Sequence, residues 1–562
     1  VQAELARKNE HGLDCHTDTL VRPLSVISCR IRTDYGTPDC AWCRRGDTLM
    51  GLYLNDFLSM APQLILVVGG LSVLAAQMLM KSGRAAMGWQ ITLITLIGSL
   101  VVVLFGLSDA SGVATVLPRA FKGTDVVWAV GSSFRYSVFS ANAILLLVSL
   151  ALVALLLMRR VLAAAEIHFA ENYFLLLMSL AGYSYALCAE DLVTLFVGIE
   201  LGSLPLLVLV GMNRSDRAAN EAAVKYMLLS AFAIAFMLLG IALLYGSNAT
   251  VKLKELKDLG PHFLKTRVVT LGYTLVFVGF FFKIAAFPMQ AYVADVYEGA
   301  ATIFTGILAS ISKAASVLLM LKVSLGMHDG YRQYFAPILT VAAVGSMLYG
   351  SFASLAAMNL KRILAYSSIG HAGYLLCFLI VPASADPGIM GLLKQDAGSG
   401  VYLYLVGYAF SALLAFSTIA YLEISGGQRE IITLSSLSNL HRRDPLAAWA
   451  LAIAVLSFMG MPPLAGFMGK FHLFRYLALS NNLLLAAAAA LASAVSMFAY
   501  IRILKPIFFA EPENAANAPI RVFPVSYGVR FAIAFLIMVI SFFAAFSGFL
   551  YNNGIAAIHK IY

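Results

Sequence analysis

The sequence is cut into apolar blocks of about twenty residues, and that feature alone removes most folds. At about 1.5 Å per helical residue, such a block crosses a bilayer core of about 30 Å. In lipid the backbone must satisfy its own hydrogen bonds, so only helices and closed barrels can span it. The blocks are continuous, as in Ile144–Met158, and continuous apolar runs point to helices. The chain is 60% hydrophobic and only 12% charged, whereas a soluble domain carries about twice that charge. The expected fold class is an all-α polytopic membrane protein with about fourteen transmembrane helices. The spans lie near 57–80, 87–107, 137–158, 171–188, 190–211, 218–245, 267–287, 300–324, 333–352, 358–382, 400–423, 445–480, 482–504 and 529–551. One helical bundle can absorb the whole length, so length does not count domains here.

Net charge is +10. In a soluble protein that balance would raise nucleic acid as a partner. Here the basic residues fall mostly in short loops between spans, the pattern that sets membrane orientation. The expected partner is therefore the lipid bilayer, with no nucleic acid. Alternate loops hold Lys81 with Arg84, Arg159-Arg160, Arg214 with Arg217, Lys361-Arg362, His441-Arg442-Arg443, and Arg502 with Lys505. These should face the cytoplasm. The opposite loops are neutral or mixed, as at Glu190-Asp191 and Asp386, with 251–267 a basic exception. An even number of spans then puts both termini on the periplasmic side.

Residues 1–49 differ from the rest, being rich in Arg, Asp, Thr and Cys with no apolar run. They lack the parts of a signal peptide. Cys40-Ala-Trp-Cys43 has the spacing of a zinc or redox site, and Cys15-His16 could add ligands. The other reading is that Met50 is the true start and that residues 1–49 are upstream sequence. Cys188 and Cys377 lie in apolar helices and read as inert packing.

Two spans carry internal prolines. One reads Gly279-Phe-Phe-Phe-Lys283-Ile-Ala-Ala-Phe-Pro288, the other Gly460-Met-Pro462-Pro463-Leu-Ala-Gly466-Phe-Met-Gly-Lys470. Proline removes a backbone donor and clashes with the preceding turn, so each run should kink or unwind. Paired breaks in two halves suggest inverted repeats with a polar site at the breaks. The breaks lie five spans apart, which fits two five-helix units. An ordinary proline kink is the competing explanation, but a lysine stands beside each break.

Charges inside the spans are the candidate machinery, because a buried ion costs a few kcal/mol on even the mildest membrane scale. Glu200 sits mid-span in Leu195-Phe-Val-Gly-Ile-Glu-Leu-Gly-Ser-Leu-Pro205, and Lys225 on the next span is its expected partner. Such a pair either holds two helices together or answers a moving neighbouring charge by releasing or capturing a proton. Lys283, Lys313 and Lys470 have no acid in their own spans, and a buried lysine can trade its proton readily. Lys313 lies among small and hydroxyl residues, which leave room for water. Lys322, at a span end, fits snorkelling to the interface better. Tyr366-Ser-Ser-Ile-Gly-His371-Ala-Gly-Tyr374 offers hydroxyls and an imidazole that could form a relay with water,.

No Walker A loop, dinucleotide-binding GxGxxG or HExxH is present, and the spans hold no credible haem or iron–sulfur ligand set. No metal or cofactor site is expected in the spans, and any pumping must be driven from elsewhere.

These segments resemble the antiporter-like subunits of the proton-pumping NADH:quinone oxidoreductase, respiratory complex I. The carriers are Phe-Val-Gly-Ile-Glu200-Leu-Gly-Ser-Leu-Pro, Ala-Val-Lys225-Tyr and Lys361-Arg-Ile-Leu-Ala-Tyr-Ser-Ser-Ile-Gly-His371-Ala-Gly-Tyr, the last highly specific. The match covers 170–510, more weakly to the end. Asp295-Val-Tyr-Glu-Gly-Ala300, Ser312-Lys313-Ala and Gly466-Phe-Met-Gly-Lys470-Phe favour the N type over the L and M types. The resemblance implies a fourteen-helix fold, with 50–160 leading into antiporter-like repeats at 161–325 and 326–505, then a cytoplasmic loop and C-terminal helix over 506–562. It implies a bacterial inner-membrane translocase subunit whose relay runs through Glu200 with Lys225, then Lys283, Lys313 and Lys470, along water-filled half-channels. The implied partners are the M-type antiporter-like subunit and small K- and J-type subunits. NADH, FMN, iron–sulfur clusters and quinone would belong to other subunits. Met289-Gln290-Ala-Tyr292 departs from the family's usual His and Trp, and Ala300–Phe304 lacks its usual prolines. An Mrp-type cation/proton antiporter subunit is the alternative. A purely structural subunit that has lost transport is a third possibility, against which the retained charges argue.

Overall fold

A computed structural model describes residues 60–79, 84–107, 127–129, 133–259, 266–380, 387–425, 433–509, 527–543 and 547–548. The expectations for residues 1–49, for both termini and for the far end of the last span lie outside the described residues.

The described residues are almost wholly helical. Helices α1 (Ala61–Leu79) and α2 (Arg84–Leu107) precede a small antiparallel hairpin, β1 (Val127–Ala129) and β2 (Phe134–Tyr136), in register at Trp128 and Arg135. Next come α3 (Val138–Ala164), α4 (Ala170–Cys188), α5 (Leu192–Val210), α6 (Arg217–Asn248) and the short α7 (Leu253–Asp258). The first interrupted span is α8 (Thr266–Ile284) with α9 (Val293–Gly299). Then follow α10 (Thr302–Leu325), α11 (Asp329–Ala356), α12 (Leu360–Cys377) and α13 (Pro387–Ser425). After the single turn α14 (Leu440–Arg443), the second interrupted span is α15 (Pro445–Met459) with α16 (Ala465–Leu479), followed by α17 (Leu483–Phe509) and α18 (Tyr527–Ser541).

Ten of these helices are long and apolar enough to cross a membrane: α1, α2, α3, α5, α6, α8, α10, α11, α13 and α17. The remaining expected spans coincide with helices that are shorter or more polar. α4 and α12 carry tyrosines, serines, a glutamate or a histidine, and α15 with α16 is divided by its break.

Local chemistry sets the boundaries. Ser137 and Ser140 form a reciprocal cap at the start of α3, and Asp191 caps α5 by accepting from the Thr194 amide at 2.7 Å. Asp444 caps α15, whose first residue is a proline. Side-chain oxygens at such positions satisfy amides that have no partner inside the helix. Both interruptions begin on a left-handed residue, Ala285 (φ 58) and Gly460 (φ 87). Pro288, Pro462 and Pro463 lie in the gaps that follow.

Burial separates centre from rim. α10 is enclosed by protein on every face and α13 nearly so, whereas α1, α2, α6 and α17 bury only about a third of their residues. Their outward Leu, Phe and Met, such as Phe232 and Phe498, suit contact with lipid. Close approach between α4 and α5 depends on Gly182, where a Cβ would overlap the Gly202 backbone,. α10 also contains one wide turn, Leu308–Ser312, hydrogen-bonded in the π manner immediately before Lys313. Such turns recur at functional sites.

Candidate functional site

Glu200 on α5 pairs with Lys283 in the last turn of α8, Nζ to Oε1 at 2.9 Å. Ser203, one turn along from Glu200, accepts from the same ammonium at 2.8 Å and donates to Glu200 Oε2 at 3.4 Å. The Lys283 side chain is 2% exposed and that of Glu200 14%, so the pair sits where removing one partner would strand the other. The carbonyls that α8 leaves open at its end are taken up locally. Ala286 N donates to Phe281 O at 2.7 Å, and the Tyr292 hydroxyl donates to Phe282 O at 2.8 Å. Tyr292, one of the departures from the family pattern, also stacks on Phe282 and Tyr226 with centroids 4.3 and 5.4 Å away.

The expected pairing of Glu200 with Lys225 is wrong. Lys225 binds Asp295 at 2.7 Å and Glu221 at 2.8 Å and is substantially exposed. Helical geometry gives the reason. Glu221 is one turn away on the same face of α6, and the neighbouring residue, Tyr226, is what packs against the α8 break. Asp295 in turn meets Arg362 at 3.0 Å, Arg362 also pairs with Glu298, and Asn359 donates to Glu298 at 2.8 Å. Beside them Lys361 lies 3.3 Å from Glu423, which also accepts from the Thr302 hydroxyl at 2.6 Å. Thr302 belongs to the stretch without the family's prolines and uses its hydroxyl there. This cluster ties α6, α9, α10, α12 and α13 together at one end of the bundle.

Lys313 is buried in α10, the most enclosed of the ten membrane-length helices among the described residues. Its ammonium donates to the Ser368 carbonyl at 2.7 Å and hydroxyl at 3.0 Å, and it lies 5.5 Å from the Tyr408 ring centroid. Lys470 donates to Met459 O at 3.0 Å and Ser493 Oγ at 3.1 Å and lies 5.4 Å from the Tyr374 ring centroid. Among the described residues, no carboxylate oxygen pairs with either ammonium. Both lysines are held by neutral oxygens and ring faces, an arrangement that leaves room for a neutral amine. Gly460 makes space for Lys470, because a Cβ there would stand 2.9 Å from the Lys470 Cδ.

His371 lies against the rings that face the two lysines, 5.1 Å from Tyr408 and 5.9 Å from Tyr374, and belongs to a hydrogen-bonded chain of hydroxyls. Ser367 Oγ is 2.6 Å from the Tyr500 hydroxyl, which is 3.3 Å from His371 Nε2, and His371 Nδ1 is 2.7 Å from the Tyr404 hydroxyl. A small cavity of about 10 Å³, bounded by His371, Tyr404, Tyr408, Ser411, Ser457 and Gly466 among others, is at the lower bound for holding one water. On the other side of Lys313, the preceding Ser312 is 2.8 Å from the Tyr183 hydroxyl, whose ring lies against Gly202 of the Glu200 helix. Among the described residues, no three His, Cys, Asp or Glu side chains converge as metal ligands.

Sequence reasoning missed several members of this site. Ser203 and Ser368 were within reach, one turn from Glu200 and inside the Tyr366–Tyr374 segment. Tyr183, Tyr404, Tyr408 and Tyr500 carried no signal beyond being tyrosines in apolar helices. Lys322 is a further correction. It does not snorkel but is buried, with Glu190 3.1 Å away.

Residues 189–496 match the NADH:quinone oxidoreductase/Mrp antiporter transmembrane family. NADH-quinone oxidoreductase subunit N 1 of Solibacter usitatus is 33% identical over 466 residues, covering 83% of this chain and 90% of that protein. NADH-quinone oxidoreductase subunit N of Leptospira interrogans is 33% identical over 494 residues, covering 86% and 90%. A chain of respiratory complex I from Thermus thermophilus superimposes with a TM-score of 0.71 at 26% identity, over 87% of this chain and 98% of its own. A chain of the Mrp complex from Dietzia sp. DQ12-45-1b shares the fold, with a TM-score of 0.74 at 20% identity over 90% and 98%. The chain belongs to the family of N subunits of NADH-quinone oxidoreductase, antiporter-like membrane proteins of respiratory complex I.

Proposed function

We propose that this chain translocates protons across the bacterial inner membrane, as subunit N of an NADH:quinone oxidoreductase whose redox chemistry takes place in other subunits. The observation that carries the reading is the pair of enclosed lysines, Lys313 and Lys470, held by hydroxyls, carbonyls and ring faces, with His371 packed against the rings that face them, Tyr408 and Tyr374. An ammonium with no buried counter-ion can lose its proton without leaving an unpaired carboxylate behind, which is what a relay needs.

In this reading a neighbouring membrane subunit of M, K or J type perturbs the exposed Lys225–Asp295 pair. The disturbance reaches Glu200–Lys283, and a proton freed at Lys283 passes by Tyr183 and Ser312 to Lys313, then along the His371 chain toward Lys470. NADH, FMN, iron–sulfur clusters and quinone act elsewhere in the complex. The fourteen-span architecture with inverted repeats at 161–325 and 326–505, and periplasmic termini, belong to the same reading. Its support is that each unit contains one interrupted helix with a lysine at its break.

The test is Lys283→Ala in the assembled complex. We expect normal assembly and impaired NADH-driven pumping into proteoliposomes; full pumping would refute the relay. The shared fold of the Mrp chain supports a second reading, a cation/proton antiporter subunit. Co-purification with other antiporter subunits and no iron–sulfur protein would favour that one.

A further inference from the structure

The chain buries a second acid–base pair that the relay above does not use. Lys322, near the end of α10, donates to the Leu187 carbonyl at 3.1 Å and the Ala189 carbonyl at 2.5 Å, and meets Glu190 Oε1 at 3.1 Å. The two side chains are 3% and 6% exposed. Glu190 Oε2 is buried with no hydrogen-bond partner. The neighbouring acid, Asp191, is fully committed, one oxygen to the Thr194 amide at 2.7 Å and the other to its hydroxyl at 2.6 Å.

A structural role as counter-ion to Lys322 accounts for one Glu190 oxygen but not for the bare Oε2. A cation at the C-terminus of α4 satisfies open carbonyls and complements the helix dipole without help. The Glu190 backbone is already anchored, its N–H donating to Ser133 O at 2.9 Å and its carbonyl accepting from Leu253 N at 2.9 Å. Burying a carboxylate with one bare oxygen costs stability that an apolar side chain would not.

Position supplies the missing role. Lys313 and Lys322 lie on the same helix, nine residues and so about 13 Å apart. At the Lys313 level α10 meets α4 through Ser312 and Tyr183; at the Lys322 level it meets α4 through the Leu187 carbonyl. Ser184 on α4 and Ser316 on α10 fall between those levels in sequence, both with buried hydroxyls that have no partner. Groups around the pair include Cys188, which accepts from Gln63 at 3.3 Å, Asp191 and Tyr185, and the strand and loop bridged to this turn carry Arg135 and Lys252.

We propose that Glu190 is a further proton-carrying group, the last buried station between Lys313 and the membrane surface at the hairpin end, with Lys322 as its positioning residue. This rests on the relay reading. Lys313 becomes a branch point of the relay: one proton goes on toward Lys470, and another leaves the Lys313 ammonium by way of hydroxyls or water and adds to the Glu190 carboxylate. Lys313 is then a neutral amine and Glu190 a neutral acid, while Lys322 keeps its two carbonyls. Release of that proton to the aqueous phase restores the pair, and the relay reloads Lys313.

The test uses the whole complex in proteoliposomes, with NADH-driven pumping and infrared difference spectra recorded during turnover. The unaltered complex should show a carboxylic-acid C=O band that appears on turnover. Glu190→Gln should abolish that band and slow proton delivery on the order of 100-fold, while electron transfer in the presence of an uncoupler persists. Glu190→Asp should shift the band and keep part of the pumping. A merely structural pair would give no turnover-dependent band, and its absence in the unaltered complex overturns the proposal even if the variants fail to assemble. Lys313→Met separates the two ideas. If it blocks pumping while Glu190→Gln pumps normally, the relay stands and the Glu190 station falls. If Lys313→Met pumps normally, the relay reading itself fails.

Discussion

The pairing of Glu200 with Lys283 can be tested by a double-mutant cycle. Glu200→Gln leaves the Lys283 ammonium, 2% exposed, with Ser203 as its remaining side-chain partner. Losing one member of a buried pair costs about 3–5 kcal/mol. Lys283→Met strands Glu200, but that carboxylate is 14% exposed and keeps its Ser203 bond, so the loss should fall at the lower end of that range. The double variant leaves no unpaired charge and should recover most of the loss, giving a coupling energy of about 3 kcal/mol. Stability can be followed as loss of helicity during denaturant titration of the purified subunit in detergent. Coupling below about 0.5 kcal/mol would mean the two sites act independently and would refute the pairing. Lys225→Met in place of Lys283→Met supplies the control. Its partners, Glu221 and the half-buried Asp295, belong to another cluster, so it should show no coupling to Glu200→Gln. Coupling there, and not at Lys283, would restore the pairing of adjacent spans.

Three further outcomes are expected. Gly460→Ala should destabilise the second break by about 1–2 kcal/mol, since alanine disfavours the left-handed backbone, and its methyl would press on Lys470; denaturant titration reads the first effect and pumping assays the second. Tyr500→Phe removes the hydroxyl between Ser367 and His371, so pumping should fall while uncoupled NADH oxidation is retained; unchanged pumping would take that hydroxyl out of the relay. Thr302→Val should cost about 1 kcal/mol, the worth of one hydrogen bond, by leaving Glu423 with Lys361 alone, and thermal denaturation of the variant checks it.

The helical, membrane-spanning class was legible because lipid admits few solutions: apolar blocks of one length can hardly be anything but helices, and among the described residues ten of them are long and apolar enough to cross. The interruptions were legible for a related reason, as Pro288, Pro462 and Pro463 cannot continue a helical hydrogen-bond ladder. The family could be read from the Lys361–Tyr374 segment. Partnership between charges was not legible. Adjacent spans suggested Lys225 for Glu200, yet α5 reaches across to the end of α8, and the acid that Lys225 meets lies in the short helix after the break. Lys322 was misread because a position near a span end says nothing about what covers that end. Here the α4–α5 turn covers it, pinned to β2 and α7 by backbone bonds. The tyrosines were invisible because nothing in the sequence distinguishes one whose hydroxyl enters a hydrogen-bonded chain from one that only packs.

The wide turn at Leu308–Ser312 interrupts the regular hydrogen-bond ladder of α10 immediately before Lys313. A π turn stores one residue more than an α turn, so the helix before it and the helix after it are out of step by about 100° of rotation. If that extra residue is passed along the helix and past Lys313, the lysine swings through the same angle while both helix ends stay where they are. The residue facing the Ser368 hydroxyl would then change without any helix sliding or tilting. A charge at the centre of a rigid, fully enclosed helix could in this way turn from one neighbour to another at the cost of rearranging a single turn's hydrogen bonds.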